Sequence, residues 1–562
     1  MTFKICRVLL AITPLLFMVA CAGGRSNSDV SVSIQAEFEK RTITNSGLSG
    51  ITNKPARYCW VEGFDPQDTD NIYFYGYLGS TGLGKADVPK NVNFKVRLFA
   101  RYEVPLIDNS GNFRMRGSVK DGVTSDTYSN INAFNAIPDW FVLSDTYTAN
   151  QDLNIKITAL DSRGNGPAGA FNIADQAVEF ASKISQLEPG LGLPNLHSFW
   201  HPANQYTDYP RVAFDKQDRV LTQQSGRTVF QHRISGVGNS LTEGRADEYN
   251  DSALMESFAH ILFADYSYPP VRPSHPYDRI ARRDSEEVAW VDRQFASEST
   301  TAFVNGFCDF ISATFRNSPS LTEIYHDDVY SYNLNEVTSF PKPQGGEFYR
   351  QSVAAALYRI WANAFGGTQN GLQTMWEATF KPGMAMEVKN DSYPYGYLQC
   401  PIGNISSYLS GLANGSQFGV TASAWNNILN VLSTESMGNP NANYFNQEIF
   451  WKKINGFPAT ETGTIRTYPE SDGIFWDFDQ SKSYHFTQSV TANRKITLEL
   501  TGVQDLFLEL FDDKGILQES TQYNGLLNRE ISDNLKPGNY LVRVRAGSTT
   551  ENKLASFRLT IQ

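Results

Sequence analysis

The hydrophobic period changes twice along this chain, and that constrains its architecture more than any single motif. From about 66 to 165 the period is two: Val92, Phe94, Val96 and Leu98 alternate with Asn93, Lys95 and Arg97, and Leu153, Ile155 and Ile157 alternate with Asn154, Lys156 and Thr158. That period marks half-buried strands. From 166 to 460 helical periods take over, first with Ala174, Ala177, Val178, Ala181 and Ile184 on one face. From 465 to 562 the period of two returns, as in Ile496, Leu498, Leu500 and Phe557, Leu559, Ile561. The pattern predicts a multi-domain α+β protein: an N-terminal β-sandwich, a mainly α central domain and a C-terminal β-sandwich.

Turn signals sharpen these limits. Asp108–Asn112, Asp161–Asn165, Asp512–Gly515 and Lys536–Asn539 carry the Asp, Asn, Gly and Pro of tight turns. The 66–165 region suits a small sandwich of immunoglobulin or transthyretin type. Further helical patterns run over Glu286–Phe315, Glu347–Phe365, Gly371–Phe380, Thr421–Leu432 and Phe445–Ile454. Two β-like stretches, 211–214 and 229–232, precede most of them. Residues 381–402 read as a long loop and Gly456–Gly463 as a linker. The Ser-, Asn- and Gly-rich start of 21–65 reads as a tether, with room for a short strand at Asp29–Lys40.

Within the central region the stretch 246–263 carries the most pointed chemistry. On a helical wheel Met255, Phe258, Ala259, Leu262 and Phe263 share an apolar arc. Glu256 and His260, one turn apart, fall on the opposite edge, expected to be exposed. As an i, i+4 pair they are either a plain polar pair or two ligands of a metal site.

The string Met255-Glu256-Ser257-Phe258-Ala259-His260-Ile261 resembles the H-E-x-x-H-H-I helix of secreted zinc metallopeptidases of thermolysin- and fungalysin-like type. The resemblance places Glu256 at the general base and Met255 and Ala259 at the two histidine ligand positions. Ala302–Ile311 resembles the helix that supplies the third ligand, with Asn305 at that position, and Glu347–Trp361 resembles the helix after it. Matching Met, Ala and Asn to the ligand positions implies a degenerate site without zinc. The expectation is a pseudo-peptidase domain over 166–460, with no cofactor, acting by binding protein or peptide. The alternative is an active zinc metallopeptidase with non-standard ligands, Glu256 and His260.

Both ends of the chain add resemblances. Lys4, Arg7 and the apolar run Val8–Ala20 form a leader too short to span a bilayer. Phe17-Met-Val-Ala-Cys21 resembles a bacterial lipobox, which implies a signal peptide over 1–20, lipidation of Cys21 and a cell-envelope, outer-membrane location. Asp505–Gly515 followed by Leu535–Val544 resembles the bacterial pre-peptidase C-terminal domain, which implies a jelly-roll-like sandwich that is not itself catalytic.

Other classes of function fall away. A net charge of −11 disfavours nucleic acid as a partner. There is no G-x-S-x-G elbow, P-loop or G-x-G-x-x-G fingerprint. Of the 5 Cys, Cys6 lies in the leader and Cys21 is the lipid site, so Cys59, Cys308 and Cys400 permit at most one bridge. His197 and His201 have ligand-like spacing, but Pro194 and Pro202 argue against a helix there. His326-Asp-Asp328 reads as a polar loop.

Overall fold

The computed structural model of the chain describes residues 29–263, 299–380, 408, 420–434 and 451–562, apart from 467–480 and shorter stretches inside these ranges. The leader 1–20, Cys21, the expected loop 381–402, His326, Cys400 and the first part of the 286–315 helix lie outside the described residues.

The protein is a mixed α/β structure with several sheets. Strands β1 (Asp29–Thr44), β2 (Gly47–Pro55), β3 (Cys59–Asp65), β4 (Asp68–Tyr77), β5 (Leu83–Pro89), β6 (Asn93–Pro105) and β7 (Phe113–Asp121) come first. Then follow β8 (Thr127–Tyr128), helix α1 (Ile131–Asn135), β9 (Phe141–Leu143), β10 (Tyr147–Thr148), β11 (Leu153–Ala159) and helix α2 (Ala168–Leu187). The middle of the chain supplies β12 (Asn195–Trp200), β13 (Arg211–Val212), β14 (Phe214–Asp215), β15 (Val229–Ile234) and helix α3 (Asp251–Ile261). Helix α4 (Ser299–Phe315), the hairpin β16 (Ser320–Tyr325) and β17 (Asp328–Asn333), and helices α5 (Arg350–Ala364), α6 (Gln369–Phe380) and α7 (Ala422–Thr434) follow. No helix among the described residues is long and apolar enough to cross a membrane.

Alternation decides which strand faces point inward. In β1, Val30, Val32, Ile34, Ala36 and Phe38 are buried, and β11 runs parallel to it with Ile155 opposite Ile34. β5 and β2 pair with β1 to complete a four-stranded sheet. The larger sheet has nine strands in the order β13-β15-β12-β7-β6-β3-β4, with β9 and β10 also on β6. Helix α2 is buried along most of its length and packs against β1, β6 and β7 on one side and α3 on the other. It is rich in Ala, which lets flanking layers approach closely.

This layout corrects the predicted boundary at 165/166. β7 pairs in parallel with β12, Ser118 opposite His197, so early and middle residues share one sheet. One hydrophobic core runs from Val30 to Leu432. The seam is tight: a Cβ on Gly117 would lie 1.9 Å from the Leu196 carbonyl oxygen, and Tyr102 Oη donates to that same oxygen at 3.1 Å. The strands of 66–165 are therefore not a sandwich of their own; they divide among three sheets, each of which includes strands from elsewhere in the sequence. The tether also ends sooner than expected, because β1, β2 and β3 occupy most of 29–65.

A second core gathers Ile454 to Ile561. It lies between two sheets, made of β18 (Trp451–Lys453), β19 (Ala459–Arg466), β20 (Ser481–Gln488), β21 (Ala492–Leu500), β22 (Leu506–Phe511), β23 (Leu517–Thr521), β24 (Asn528–Leu535), β25 (Gly538–Ala546) and β26 (Leu554–Ile561). Their orders are β18-β20-β25-β22-β23 and β19-β26-β21-β24. Two expectations fail here. Residues Trp451–Lys453 of the expected 445–454 helix form a strand, the residues before 451 lying outside the described ones, and most of the expected linker belongs to β19, which pairs with β26 from Ala459↔Ile561 to Arg466↔Leu554.

Fragment 451–562 is therefore expected to fold alone, with dispersed amide resonances and a cooperative melt. Fragment 465–562, which lacks β18 and most of β19, should melt at a clearly lower temperature. Equal melting of the two would show that β19 contributes nothing to the sandwich.

Candidate functional site

Helix α3 is fixed first at its N-terminus. Asn250 Oδ1 accepts from the backbone N–H groups of Ser252 (3.2 Å) and Ala253 (3.3 Å), satisfying donors that no helical carbonyl can reach. Asn250 Nδ2 and Ser252 Oγ both donate to the Thr322 carbonyl, at 2.8 and 2.9 Å, so the β16–β17 hairpin clips the cap. Lys40 of β1 donates to Asp251 at 2.7 Å, and Ser312 of α4 donates to the Ser252 carbonyl at 2.8 Å.

From Ser252 to Ile261 the helix is buried on every side. Its residues are apolar or small almost all round, and such a helix belongs to an interior. Glu256 and His260 are therefore not at an exposed edge, as the helical wheel suggested. A buried carboxylate needs a partner, and Glu256 has one: the Arg350 guanidinium of α5 pairs with it directly. The same guanidinium pairs side-on with Asp309 of α4, Nε to Oδ2 at 2.7 Å and Nη2 to Oδ1 at 2.9 Å. Its remaining Nη1 donates to Tyr209 Oη at 3.1 Å, and Tyr332 Oη donates to Asp309 Oδ2 at 2.8 Å.

This is a charge bridge across three helices, with one cation between two carboxylates. Burial works against the Arg350 cation, but Asp309 and Glu256 outweigh it and hold its pKa well above the ordinary value. His260 stacks on Tyr209 at a centroid distance of 3.8 Å. Burial pushes its pKa down, against the pull of Glu256, whose Oε1 lies 3.7 Å from Nε2, too long for a hydrogen bond. Burial, followed by Glu256 and Asp309, pushes the Cys308 thiol well above its usual range, so this cysteine is an inert core residue.

Close approach of α4 and α5 makes the bridge possible. A Cβ on Gly306 would come within 2.7 Å of Val353 and 2.8 Å of the Arg350 carbonyl oxygen. Gly306 thus lets the two helices meet one turn from Asp309.

The three positions that the peptidase resemblance would align with zinc ligands are all interior. Met255 and Ala259 are fully buried among apolar side chains, and Asn305 is buried on α4. Among the described residues no group of three or more His, Cys, Asp or Glu side chains is placed to hold a metal ion. The residues around Glu256 do not fit zinc: its carboxylate is already matched by a fixed cation, which would repel a dication beside it. A general base would likewise have to leave Arg350 before it could take a proton.

Two further histidines are held in polar threads. His232 of β15 lies between Ser198 Oγ (2.6 Å from Nε2) and Ser257 Oγ (3.0 Å from Nδ1), joining sheet to α3. His197, in the buried strand β12 and not in a helix, meets Ser118 Oγ at 2.9 Å through Nδ1. Burial pushes both rings down to about 3, with Lys120 adding to the effect on His197. Ser198, Ser257 and His232 are all buried, so this serine–histidine contact is a structural tie and not a nucleophile open to substrate.

Sequence reasoning singled out Glu256, His260 and Asn305 but missed Arg350, Asp309, Tyr209 and Tyr332. A signal was present. Asp309 interrupts an otherwise apolar helical run, and a charge in such a place is rarely tolerated unless paired; Arg350, at the start of its helix beside Gln351 and Ser352, gave no such signal.

Comparison with known proteins gives limited overlap. Neither a protein-family model nor a curated protein matches the chain. Among solved structures it is similar to the pre-peptidase C-terminal domain of collagenase from Bacillus anthracis, at 20% identity over 21% of this chain and 96% of that one, with a TM-score of 0.16. It is also similar to PliG of Salmonella Typhimurium, a periplasmic inhibitor of g-type lysozyme, at 17% identity over 20% of this chain and 96% of that one, with a TM-score of 0.14.

Removing only Arg350 should be costly. Arg350→Met leaves two buried carboxylates facing each other, an expected loss of about 3–5 kcal/mol. Adding Glu256→Gln and Asp309→Asn should recover most of it, read as the urea midpoint; a harmless single substitution would refute the bridge. Stability should also fall with acid. The folded rings of His197 and His232 bind protons at about 3 and unfolded ones at about 6.5. Their contribution is therefore complete above pH 6.5 and is lost as pH falls toward 3, on the order of 2 kcal/mol per ring at pH 5. His232→Gln should flatten the dependence of melting temperature on pH between 7 and 5; an unchanged slope would contradict a neutral buried ring.

Proposed function

We propose that this chain is a cell-envelope lipoprotein whose central body is a non-catalytic, peptidase-like module for binding protein or peptide. The observation that carries this reading is the Arg350 bridge. In a zinc peptidase the helix glutamate must be available to a metal-bound water. Here Glu256 is spent on a buried guanidinium, and Met255 and Ala259 contribute packing where ligands would be needed. The α3 helix keeps the character of a buried central helix while its chemistry has become structural. The lipobox-like Val19-Ala-Cys21 supports attachment at Cys21, and two or more acyl chains would anchor the body stably to an outer membrane.

The purified wild type should contain no stoichiometric zinc and leave casein intact. Zinc at one equivalent together with casein cleavage, both lost in His260→Ala, would overturn the reading in favour of an active metallopeptidase. Labelled palmitate should enter the wild type and not Cys21→Ser; equal labelling would remove the lipid anchor.

A further inference from the structure

His197 points to the face of the nine-stranded sheet turned away from α3, because its neighbour Ser198 reaches that helix through His232 on the other face. Over the outer face run residues 127–137, which comprise β8 and α1. Of these only Tyr128 and Phe134 are buried. They pack with Phe199, Ala213, Leu221 and Val229 in a small core of their own, separate from the main one. Polar ties are few: Tyr128 Oη donates to Gln231 at 2.5 Å and Lys120 Nζ to the Ile137 carbonyl at 3.0 Å. A segment with so little buried apolar surface opens at lower cost than the sheet beneath it.

This strap covers His197. The rings of Phe134 and His197 meet edge to face, with centroids 4.9 Å apart. Beneath the strap the imidazole is ill placed to hold a second proton. Its Nδ1 meets Ser118 Oγ at 2.9 Å, and its Nε2 faces the Gln223 amide nitrogen at 3.5 Å, itself a donor. The charged groups that face it are Lys120 on β7, Arg101 on β6 and Asp139 just beyond the strap. Asp139 already serves both cations, 3.1 Å from Lys120 and 2.7 Å from Arg101. Helix α1 has no ionisable residue, and Gln231, opposite His197 on β15, is neutral. A covered imidazolium would be a third cation beside one carboxylate, out of reach of water.

We propose that residues 127–137 form an acid-released strap over the outer face of the sheet, with His197 as its sensor. Lifting Phe134 away hydrates the ring and lets it take the proton that the closed form refuses. The sign follows from the two states. The covered ring binds a proton at about 3, chiefly because it is buried, and an uncovered ring at about 6.5, so the opening constant rises about 20-fold from pH 7 to pH 5. Opening uncovers a polar row, since register sets Ser118, His197 and Gln231 side by side on β7, β12 and β15. The strap is independent of the Arg350 bridge and of the peptidase-like reading.

Hydrogen exchange of the purified full chain at pH 7 and pH 5, corrected for intrinsic exchange, tests the proposal. Peptides over 130–137 report the strap and peptides over β6 report the sheet. The strap should be less protected than β6 at both pH values. Its opening constant should rise about 20-fold at pH 5. That rise should vanish in His197→Gln and persist in His232→Gln, whose ring lies on the other face of the sheet. Equal protection of strap and β6, no rise at pH 5, a rise kept by His197→Gln or a rise removed by His232→Gln would each overturn the proposal. The wild type and His232→Gln decide it even where His197→Gln does not fold.

Discussion

A single guanidinium sets the terms for the middle of this protein. Arg350 is buried, and a buried cation is tolerable only where opposite charge and hydrogen bonds meet most of its donors. Glu256, Asp309 and Tyr209 meet that demand from three separate segments. None of them can move without stranding a charge. The bridge therefore specifies how α3, α4 and α5 sit together more strictly than apolar packing would, because apolar contacts tolerate sliding and a side-on carboxylate–guanidinium pair does not. Gly306 supplies the necessary closeness, since any side chain there would push α4 away from the Arg350 backbone.

Around that bridge, α3 is tied to every neighbouring layer by polar groups that would otherwise be costly to bury. Asn250 and Ser252 hold the hairpin, Ser312 holds α4, and His232 reaches from the sheet to Ser257. These ties explain why the helix can be interior on all sides and still begin and end where it does. They also explain how its resemblance to a zinc-binding helix can coexist with chemistry of another kind. Glu256 and His260 lie one helical turn apart, and the partners that surround them neutralise the first and stack on the second.

Much of the fold was legible where one face of an element meets water. The alternation in β6 and β11 and the helices at 350–364, 369–380 and 422–434 follow directly from their patterns. What was lost has physical causes. β12 is buried on both faces, as parallel strands usually are, so His197 and Ser198, on opposite faces, are both interior and no alternation marks the strand. β19 is an edge strand of small polar residues, Ala-Thr-Glu-Thr-Gly-Thr, and reads like a linker. The merging of 29–165 with the middle region rests on β7 pairing with β12, a contact between residues about 80 apart that no local pattern encodes. In the site itself, Glu256 and His260 were recognisable from helical spacing, but their burial was not, because a wheel assumes a wet side. Asp309 stood in view as a charge within an apolar run, while Arg350, at a polar helix start, did not, and only the tertiary packing shows that they answer one another.

The most direct measurement is a crystal structure grown with excess zinc and recorded on both sides of the zinc absorption edge. The account predicts the Arg350 guanidinium between Glu256 and Asp309, His260 stacked on Tyr209, and no anomalous peak within the helical core. A zinc peak bonded to Glu256 and His260, with Arg350 displaced from the carboxylate, would contradict it.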